Sequence, residues 1–516
     1  MKKILFTICS SFLYLVVIAQ PMNNVAIDSL VQNSMKAFNV PGIAVAIIKD
    51  GKIIHSKGYG VRSLKSKTPV DENTLFGIAS NSKAFTAATL AILVDEGKIS
   101  WDDKVRKYIP EFKMYDPYVT EEFTIRDLLT HRSGLGLGAG DLMFFPDGAD
   151  FTMKDIIHNI QYLKPVSSFR SKFDYDNNLY LVAGEIVARV SGKGWDEFVE
   201  DRILKPLEMK KSAAAFDRLS DTTNIISAHA PVDGVVEVID RNRSRLIDAA
   251  GGINSNISDL SKWVLTLLNE GKYGDNKQLF STVNQHEMWS PQTILSISNP
   301  GPYNTHFVSY GLGFFLSDAM GYKRVSHTGG LEGMVTQITM FPELQLGIIV
   351  LTNQQEGGAF TSITNQIVDG YLNIKNTDRV SENAKRRKAA IDEAKIITDS
   401  IWNAINSVQR SNKNKIDVTP YIGKFKDLWF GEISISNNNG KLLFASKRSP
   451  RLTGELFYFK GNTFVVKWNN RSFDADAFVT FRLDENGTAS GITMKAISPL
   501  TDFSYDFHDL EFYPVK

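Results

Sequence analysis

FGIASNSK, residues 76–83, places Ser80 one helical turn ahead of Lys83. The i, i+3 spacing puts both side chains on one face of a helix. A serine hydroxyl is a poor nucleophile unless a nearby base takes its proton. A lysine can be that base only where burial or a neighbouring positive charge lowers its pKa. The residues that follow support a helix: Phe85, Ala88, Ala91 and Ile92 recur at helical spacing, and Gly97 supplies a stop. The start of such a helix leaves backbone N–H groups free, one of which can face a developing oxyanion. An N-cap serine with a surface lysine would give the same tetrad, so the rest of the chain has to decide.

Upstream, Ile27, Leu30, Val31 and Met35 lie at helical spacing, and Ile43 to Ile48 is a continuous apolar run suited to a buried strand. Asp50-Gly51 fits a tight hairpin turn, with Ile53-Ile54 opening the return strand. Helical patterns and turns fill Trp101 to about Leu268. Strand patterns return between Lys323 and Asn353, at Met334 to Phe341 and Leu346 to Leu351, and a helical pattern covers Phe360 to Leu372. Strands near both ends with a helical insertion between them predict an α/β sandwich, an antiparallel sheet flanked by helices, with a mainly helical lobe. Residues 376–417 read as an exposed, charge-dense connecting helix followed by a polar linker, Ser411 to Lys415. Beyond Tyr421 short alternating runs, among them Glu432 to Ser436 and Thr463 to Trp468, are broken by Asn439-Gly440, Gly461-Asn462 and Asn486-Gly487. They predict a small antiparallel barrel or curved sheet.

Composition bounds the function. At 516 residues the chain is long enough for two domains, with 43% apolar and 22% charged residues and a formal net charge of +1. That balance gives no electrostatic case for nucleic acid or an anionic membrane. Lys2 and Lys3 followed by the mainly apolar run Ile4 to Ala19 read as an export signal. Val17-Ile18-Ala19 before Gln20 resembles a small-residue cleavage site; an uncleaved anchor is the alternative. The single cysteine, Cys9, sits inside this run, so a mature chain has no disulfide, cysteine nucleophile or zinc–thiolate site. The expected division is a signal peptide over 1–19, a hydrolase domain over 20–375, a charged helical linker over 376–417 and a β domain over 418–516.

Two further stretches carry chemistry. In FDYDN, residues 173–177, Tyr175 can relay a proton beside a lysine and Asn177 can hold that lysine or a substrate amide. In His327-Thr328-Gly329-Gly330, placed at a strand end, the glycines let a substrate backbone approach, and a backbone N–H there can join that of Ser80 in an oxyanion hole. His327 can donate to a substrate carboxylate or shuttle a proton. No histidine pair has i, i+4 metal-ligand spacing, and neither a Gly-x-Ser-x-Gly elbow, a P-loop nor a Rossmann fingerprint occurs.

Ser-x-x-Lys, Tyr-x-Asn and His-Thr-Gly, in that order, closely resemble the serine β-lactamase and penicillin-binding-protein superfamily, in its class C β-lactamase-like branch. IRDLLTHRSGL, residues 125–135, and AGGINSNISDL, residues 250–260, add to the likeness, which spans roughly residues 25–373. The resemblance implies an acyl-enzyme mechanism without metal or cofactor, acting on a small-molecule or peptide substrate. Ser80 would be the nucleophile, Lys83 and Tyr175 the general-base pair, Asn177 a substrate and network residue, and the N–H groups of Ser80 and Gly330 the oxyanion hole. Thr328 and Gly329 would line the substrate's path, and His131 looks structural. Class C β-lactamases usually carry lysine at the position of His327; histidine looks more like the DD-carboxypeptidases and D-aminopeptidases. The expectation is therefore a secreted or periplasmic hydrolase of D-amino-acid peptides, small amides or esters. A β-lactamase and a catalytically silent penicillin-recognising or sensor protein are the alternatives. The C-terminal β segment resembles the lipocalin-like domains appended to some of these peptidases.

Overall fold

The computed structural model describes residues 22–411 and 416–515. The export signal, Cys9 and nearly all of the Ser411 to Lys415 linker lie outside the described residues. The chain opens with helix α1 (Asn24–Phe38), then strands β1 (Gly42–Lys49) and β2 (Lys52–Gly60), joined through the Asp50-Gly51 turn. After the helical lobe come β3 (Thr293–Leu295), β4 (Val308–Tyr310), β5 (Phe315–Ala319), β6 (Tyr322–Leu331), β7 (Met334–Phe341) and β8 (Leu346–Thr352). They form one antiparallel eight-stranded sheet in the order β2-β1-β8-β7-β6-β5-β4-β3, so the two ends of the domain meet where Val45 pairs with Val350.

The pleat explains why β1 reads as a continuous apolar run. Ile43, Val45 and Ile47 face one side, where Leu30 and Val31 of α1 and Ile363 and Ile367 further along the chain cover them. Ala44, Ala46 and Ile48 face the other side and join the main core. A strand covered on both faces cannot alternate apolar with polar residues.

On the main-core side lies α2 (Ser82–Asp95), in which every residue from Ser82 to Leu93 is buried. A helix buried all round is apolar all round, which is why its sequence shows no polar stripe. Phe85 of α2 stacks on Trp263 at 4.2 Å, in a later helix, α3 (Ile257–Leu268). Ser80 is not in α2 itself: it sits in the 3₁₀ turn Ala79–Asn81 that leads into it. His327 likewise lies within β6 rather than at a strand end.

The connecting segment is one helix of 33 residues, α4 (Arg379–Ser411), about 50 Å long at the rise of an α-helix. Most of its residues are exposed, as its charge density suggests, but it is anchored at a few buried positions. Its first residue, Arg379, grips the buried carboxylate of Asp369 through two hydrogen bonds of 2.7 and 3.1 Å. Further along, Ile405 is fully buried with Val465 and Ile497, and Trp402 meets Phe457 edge-on at 5.6 Å.

Those partners belong to the second domain, a closed barrel of eight consecutive antiparallel strands: β9 (Gly423–Asp427), β10 (Gly431–Asn438), β11 (Lys441–Ser446), β12 (Thr453–Lys460), β13 (Thr463–Trp468), β14 (Ala477–Leu483), β15 (Ala489–Ala496) and β16 (Glu511–Pro514). Phe425, Phe444, Phe464 and Phe481 are among its buried side chains. The barrel shares one continuous apolar core with the helical lobe of the first domain. Trp429 accepts a 2.8 Å hydrogen bond at its carbonyl from Asn159, and Arg448 reaches across to Asp150 at 2.7 Å. Because Ile405 anchors α4 to the barrel, Ile405→Ala is expected to cost about 2–5 kcal/mol in urea unfolding of the full chain; a loss below about 1 kcal/mol would show that this contact does not hold the helix.

Candidate active site

The turn that presents Ser80 is held in an unusual conformation. Ala79, just before it, has φ of 49°, in the left-handed region that a residue with a Cβ enters only when its surroundings force it. Those surroundings are specific. Ile78 donates its N–H to the carbonyl of Ile253 at 2.9 Å. The Ile78 carbonyl accepts from the Thr336 hydroxyl at 2.9 Å, and Asn81 donates its side-chain amide to the same hydroxyl at 2.9 Å. Strand β6 comes close beside the turn. A Cβ on Gly329 would lie 2.2 Å from the Ile78 carbonyl oxygen, so only glycine allows this approach. The Gly329 of the motif thus serves the packing of strand against turn, while Gly330 and Thr328 line the cavity that Ser80 faces.

Lys83 is fully buried, and its Nζ has three neighbours: Ser80 Oγ at 3.1 Å, Asn177 Oδ1 at 2.7 Å and the Ala250 carbonyl at 3.1 Å. Two of these are pure acceptors. A neutral amine has two N–H donors and one lone pair, so donation to Asn177 and Ala250 leaves the lone pair for the Ser80 proton. Burial pulls the Lys83 pKa down to about 7, against the opposing pull of Asp141 and Asp176. A neutral lysine is therefore available near neutrality, as the spacing of Ser80 and Lys83 requires.

Tyr175 is also in place, with Lys83 Nζ 4.8 Å from its ring centroid. Burial pushes its phenol well above the ordinary tyrosine range, and the Ser80 hydroxyl beside it pulls the other way. A phenol held protonated donates a hydrogen bond and cannot itself accept the Ser80 proton. Of the expected base pair, Lys83 is the member whose resting state fits the task, and Tyr175 fits a relay. His131 lies under the Tyr175 ring at 4.2 Å and accepts the Asp176 N–H at Nδ1, 3.0 Å away. It forms a buried platform and keeps the structural role expected of it.

His327 differs from expectation. Its Nδ1 is 2.6 Å from the Thr328 carbonyl, which can only accept, so Nδ1 carries the proton. Its Nε2 then accepts from the Tyr310 hydroxyl at 2.9 Å. Burial and the Lys83 charge pull its pKa down to about 3. A neutral imidazole with both nitrogens engaged has no donor left for a substrate carboxylate, and the expected carboxylate or shuttle role does not fit this geometry.

The cavity in front of Ser80 has a volume of about 450 Å³. Tyr175, Asn177 and His327 line it together with Phe473, Phe503 and Tyr505 of the barrel, and Phe503 meets the Tyr175 ring edge-on at 5.8 Å. Glu332, Asp474 and Asp502 also line it, with burial pushing the carboxyl pKa of each up, that of Glu332 to about 7, and Arg387 is tied to Glu356 by a 2.7 Å hydrogen bond. Sequence reading missed three buried polar groups that brace the site: Asp141, Asp176 and Ser504. Asp141 lies in the loop Gly136 to Phe151 and Asp176 within FDYDN, yet no spacing rule marks either as a neighbour of Lys83. Among the described residues no cluster of three or more His, Cys, Asp or Glu side chains could hold a metal ion, and no helix is long and apolar enough to cross a membrane.

Comparison with known proteins follows the same two-domain division. The sequence profile of the family described as Beta-lactamase matches residues 27–370, and that of a domain of unknown function, DUF3471, matches residues 410–514. An unguisins hydrolase of Aspergillus campestris is 23% identical over 484 residues, covering 89% of this chain and 87% of that protein. An unguisins hydrolase of Aspergillus violaceofuscus is 28% identical over 68% of this chain and 65% of its own length. Protein flp of Staphylococcus aureus is 28% identical over 63% of this chain and 62% of its own length. The solved structure of an octameric penicillin-binding protein homologue from Pyrococcus abyssi superposes with a TM-score of 0.61 at 21% identity, covering 95% of this chain and all of that one, a likeness of fold. The chain belongs to the beta-lactamase family of serine hydrolases and carries a C-terminal eight-stranded barrel.

Proposed function

We propose that this protein is an exported hydrolase that forms an acyl-enzyme on Ser80 and cleaves peptides, amides or esters of D-amino acids or related small acyl groups. The observation that carries the reading is the placement of Lys83 Nζ, 3.1 Å from Ser80 Oγ with its other neighbours both acceptors. Ser80 Oγ attacks the substrate carbonyl carbon, and its proton passes to the Lys83 lone pair. The resulting ammonium stays hydrogen-bonded to Asn177 and the Ala250 carbonyl. The oxyanion faces the backbone N–H groups of Ser80 and Gly330. Collapse breaks the bond to the leaving amine or alkoxide, which recovers the proton from Lys83 through the Tyr175 phenol. Water then attacks the acyl-enzyme, giving its proton to Lys83; collapse breaks the bond to Ser80 Oγ, which takes that proton back from Lys83 as the acid is released. Export rests on the Lys2-Lys3 and apolar leader.

The neutral, fully engaged His327 favours substrates without a carboxylate beside the reacting bond over β-lactams. A penicillin or cephalosporin carries a carboxylate close to its reacting amide, and a pocket for it needs a cation or a free donor. His327 offers neither, which leaves the Thr328 hydroxyl as the donor at the cavity that such a carboxylate would have to use. The relatives named as unguisins hydrolases make unguisins worth including in a substrate panel.

The test is turnover by the mature protein of D-alanine p-nitroanilide, p-nitrophenyl acetate, an unguisin and a chromogenic cephalosporin. Ser80→Ala is expected to lose about 10³-fold or more in kcat/KM on whichever substrate is cleaved; retained turnover would remove Ser80 from the reaction. The pH profile of kcat/KM reports the base. Lys83 works only when neutral and its pKa is lowered to about 7, so activity should be low below that pH and rise to a plateau above it. A rising limb near the ordinary lysine range, or none, would exclude a buried neutral lysine as the base.

A further inference from the structure

The connection between β15 and β16, residues 497–510, leaves the barrel and packs on the first domain at the turn that carries Asp141. It is anchored through Tyr505, Asp506 and Phe507. Tyr505 packs edge-on against Phe145 at 5.0 Å, and Phe507 stacks on Trp468 at 5.7 Å. The Asp506 carboxylate is fully buried and accepts the backbone N–H groups of Gly140 at 2.6 Å and Leu142 at 3.1 Å. The fit is close: a Cβ on Gly138 would lie 2.7 Å from the Phe503 carbonyl oxygen. These contacts grip the turn that carries Asp141.

A chain of hydrogen bonds leads from this loop to the amine. The Ser504 hydroxyl, almost fully buried, donates to Asp141 Oδ2 at 2.8 Å. The Asn177 side-chain NH₂ donates to the same oxygen at 2.7 Å, and Asn177 Oδ1 accepts from Lys83 Nζ at 2.7 Å. An amide side chain can turn over and exchange its oxygen for its nitrogen. The accepting Oδ2 of Asp141 prevents this by claiming the NH₂ end, which keeps the oxygen toward Lys83 and the amine's lone pair toward Ser80. Asp141 must itself be held to do so. Its other oxygen has no hydrogen-bond partner among the described residues, so Ser504 and Asn177 are its side-chain hydrogen bonds.

We propose that Ser504, supplied by the barrel, is a positioning residue of the catalytic site, acting through Asp141 and Asn177 to fix the Lys83 amine against Ser80. The second domain then completes the first rather than merely accompanying it. This rests on the reading of Ser80 and Lys83 as nucleophile and base.

The experiment uses the full chain and a fluorophosphonate, which labels an activated serine and needs no known substrate. Labelling rates are measured against probe concentration, giving a saturating rate and an apparent affinity, alongside the melting midpoint. Ser504→Ala is expected to fold with a midpoint within a few degrees of the parent. Its saturating rate should fall about ten- to a hundredfold while the affinity changes by no more than about twofold. Arg448→Ala, which removes the bonds to Asp150 and Asp155 on another part of the domain interface, is expected to keep its labelling rate within about twofold. An unchanged saturating rate in Ser504→Ala would overturn the proposal, and so would an equal fall in Arg448→Ala, because the effect would then be domain docking in general. Ser80→Ala separates the two readings: if it still labels at the parent rate, the assignment of the nucleophile fails, whereas a dead Ser80→Ala beside a fully active Ser504→Ala removes only the role of Ser504.

Discussion

Everything in this active site follows from one amine kept out of water. Exposed, Lys83 would be an ammonium near neutral pH and useless as a base. Buried at the first turn of α2, it loses solvation that an ammonium needs and keeps two acceptors that suit either protonation state. The two carboxylates nearest in charge, Asp141 and Asp176, oppose the effect without abolishing it. The site thus sits close to the balance point, where a proton can be taken from Ser80 and returned within a cycle.

That balance demands rigidity, and the fold supplies it from three directions. The sheet contributes β6 and β7, locked to the nucleophile turn by Gly329 and Thr336. The helical lobe contributes Tyr175, Asn177 and the His131 platform. The barrel contributes the loop that closes on Asp141 and aromatic side chains that line the cavity. The long helix α4 spans the two domains and is fixed at both ends, by Arg379 on Asp369 and by Ile405 in the barrel contact. A core that runs unbroken from lobe to barrel makes the two domains one mechanical unit at the site.

Much of this was legible in the sequence where the signal was local. Ser80 and Lys83 stand three residues apart across the step from the 3₁₀ turn into α2, and the period-2 and period-3.6 patterns gave the sandwich, the hairpin at Asp50-Gly51 and the strand Thr463–Trp468. Tyr175 and Asn177 were legible through motif order. What was hidden depends on distance along the chain. Ser504 and Asp141 are separated by 363 positions, and no periodicity or spacing links a short polar loop of the barrel to a turn in the helical lobe. His327 shows a second kind of blindness. Its residue type suggested a free donor, but Tyr310 and the Thr328 carbonyl use both nitrogens, and such pairing is set by three-dimensional neighbours alone. The 33-residue helix is a third case: its charge density suggests exposure, yet sparse apolar positions such as Ile405 are enough to anchor one face.

The most direct measurement of the central claim is an NMR titration of the full chain carrying ¹³C,¹⁵N-labelled lysine, with the Lys83 signal identified by its absence in Lys83→Met. One lysine signal titrating near pH 7, and missing from that variant, is the result expected from a buried amine poised to take the Ser80 proton. If the Lys83 signal instead titrates with the surface lysines, in their ordinary range near 10.4, the amine is an ammonium at neutral pH and cannot be the base.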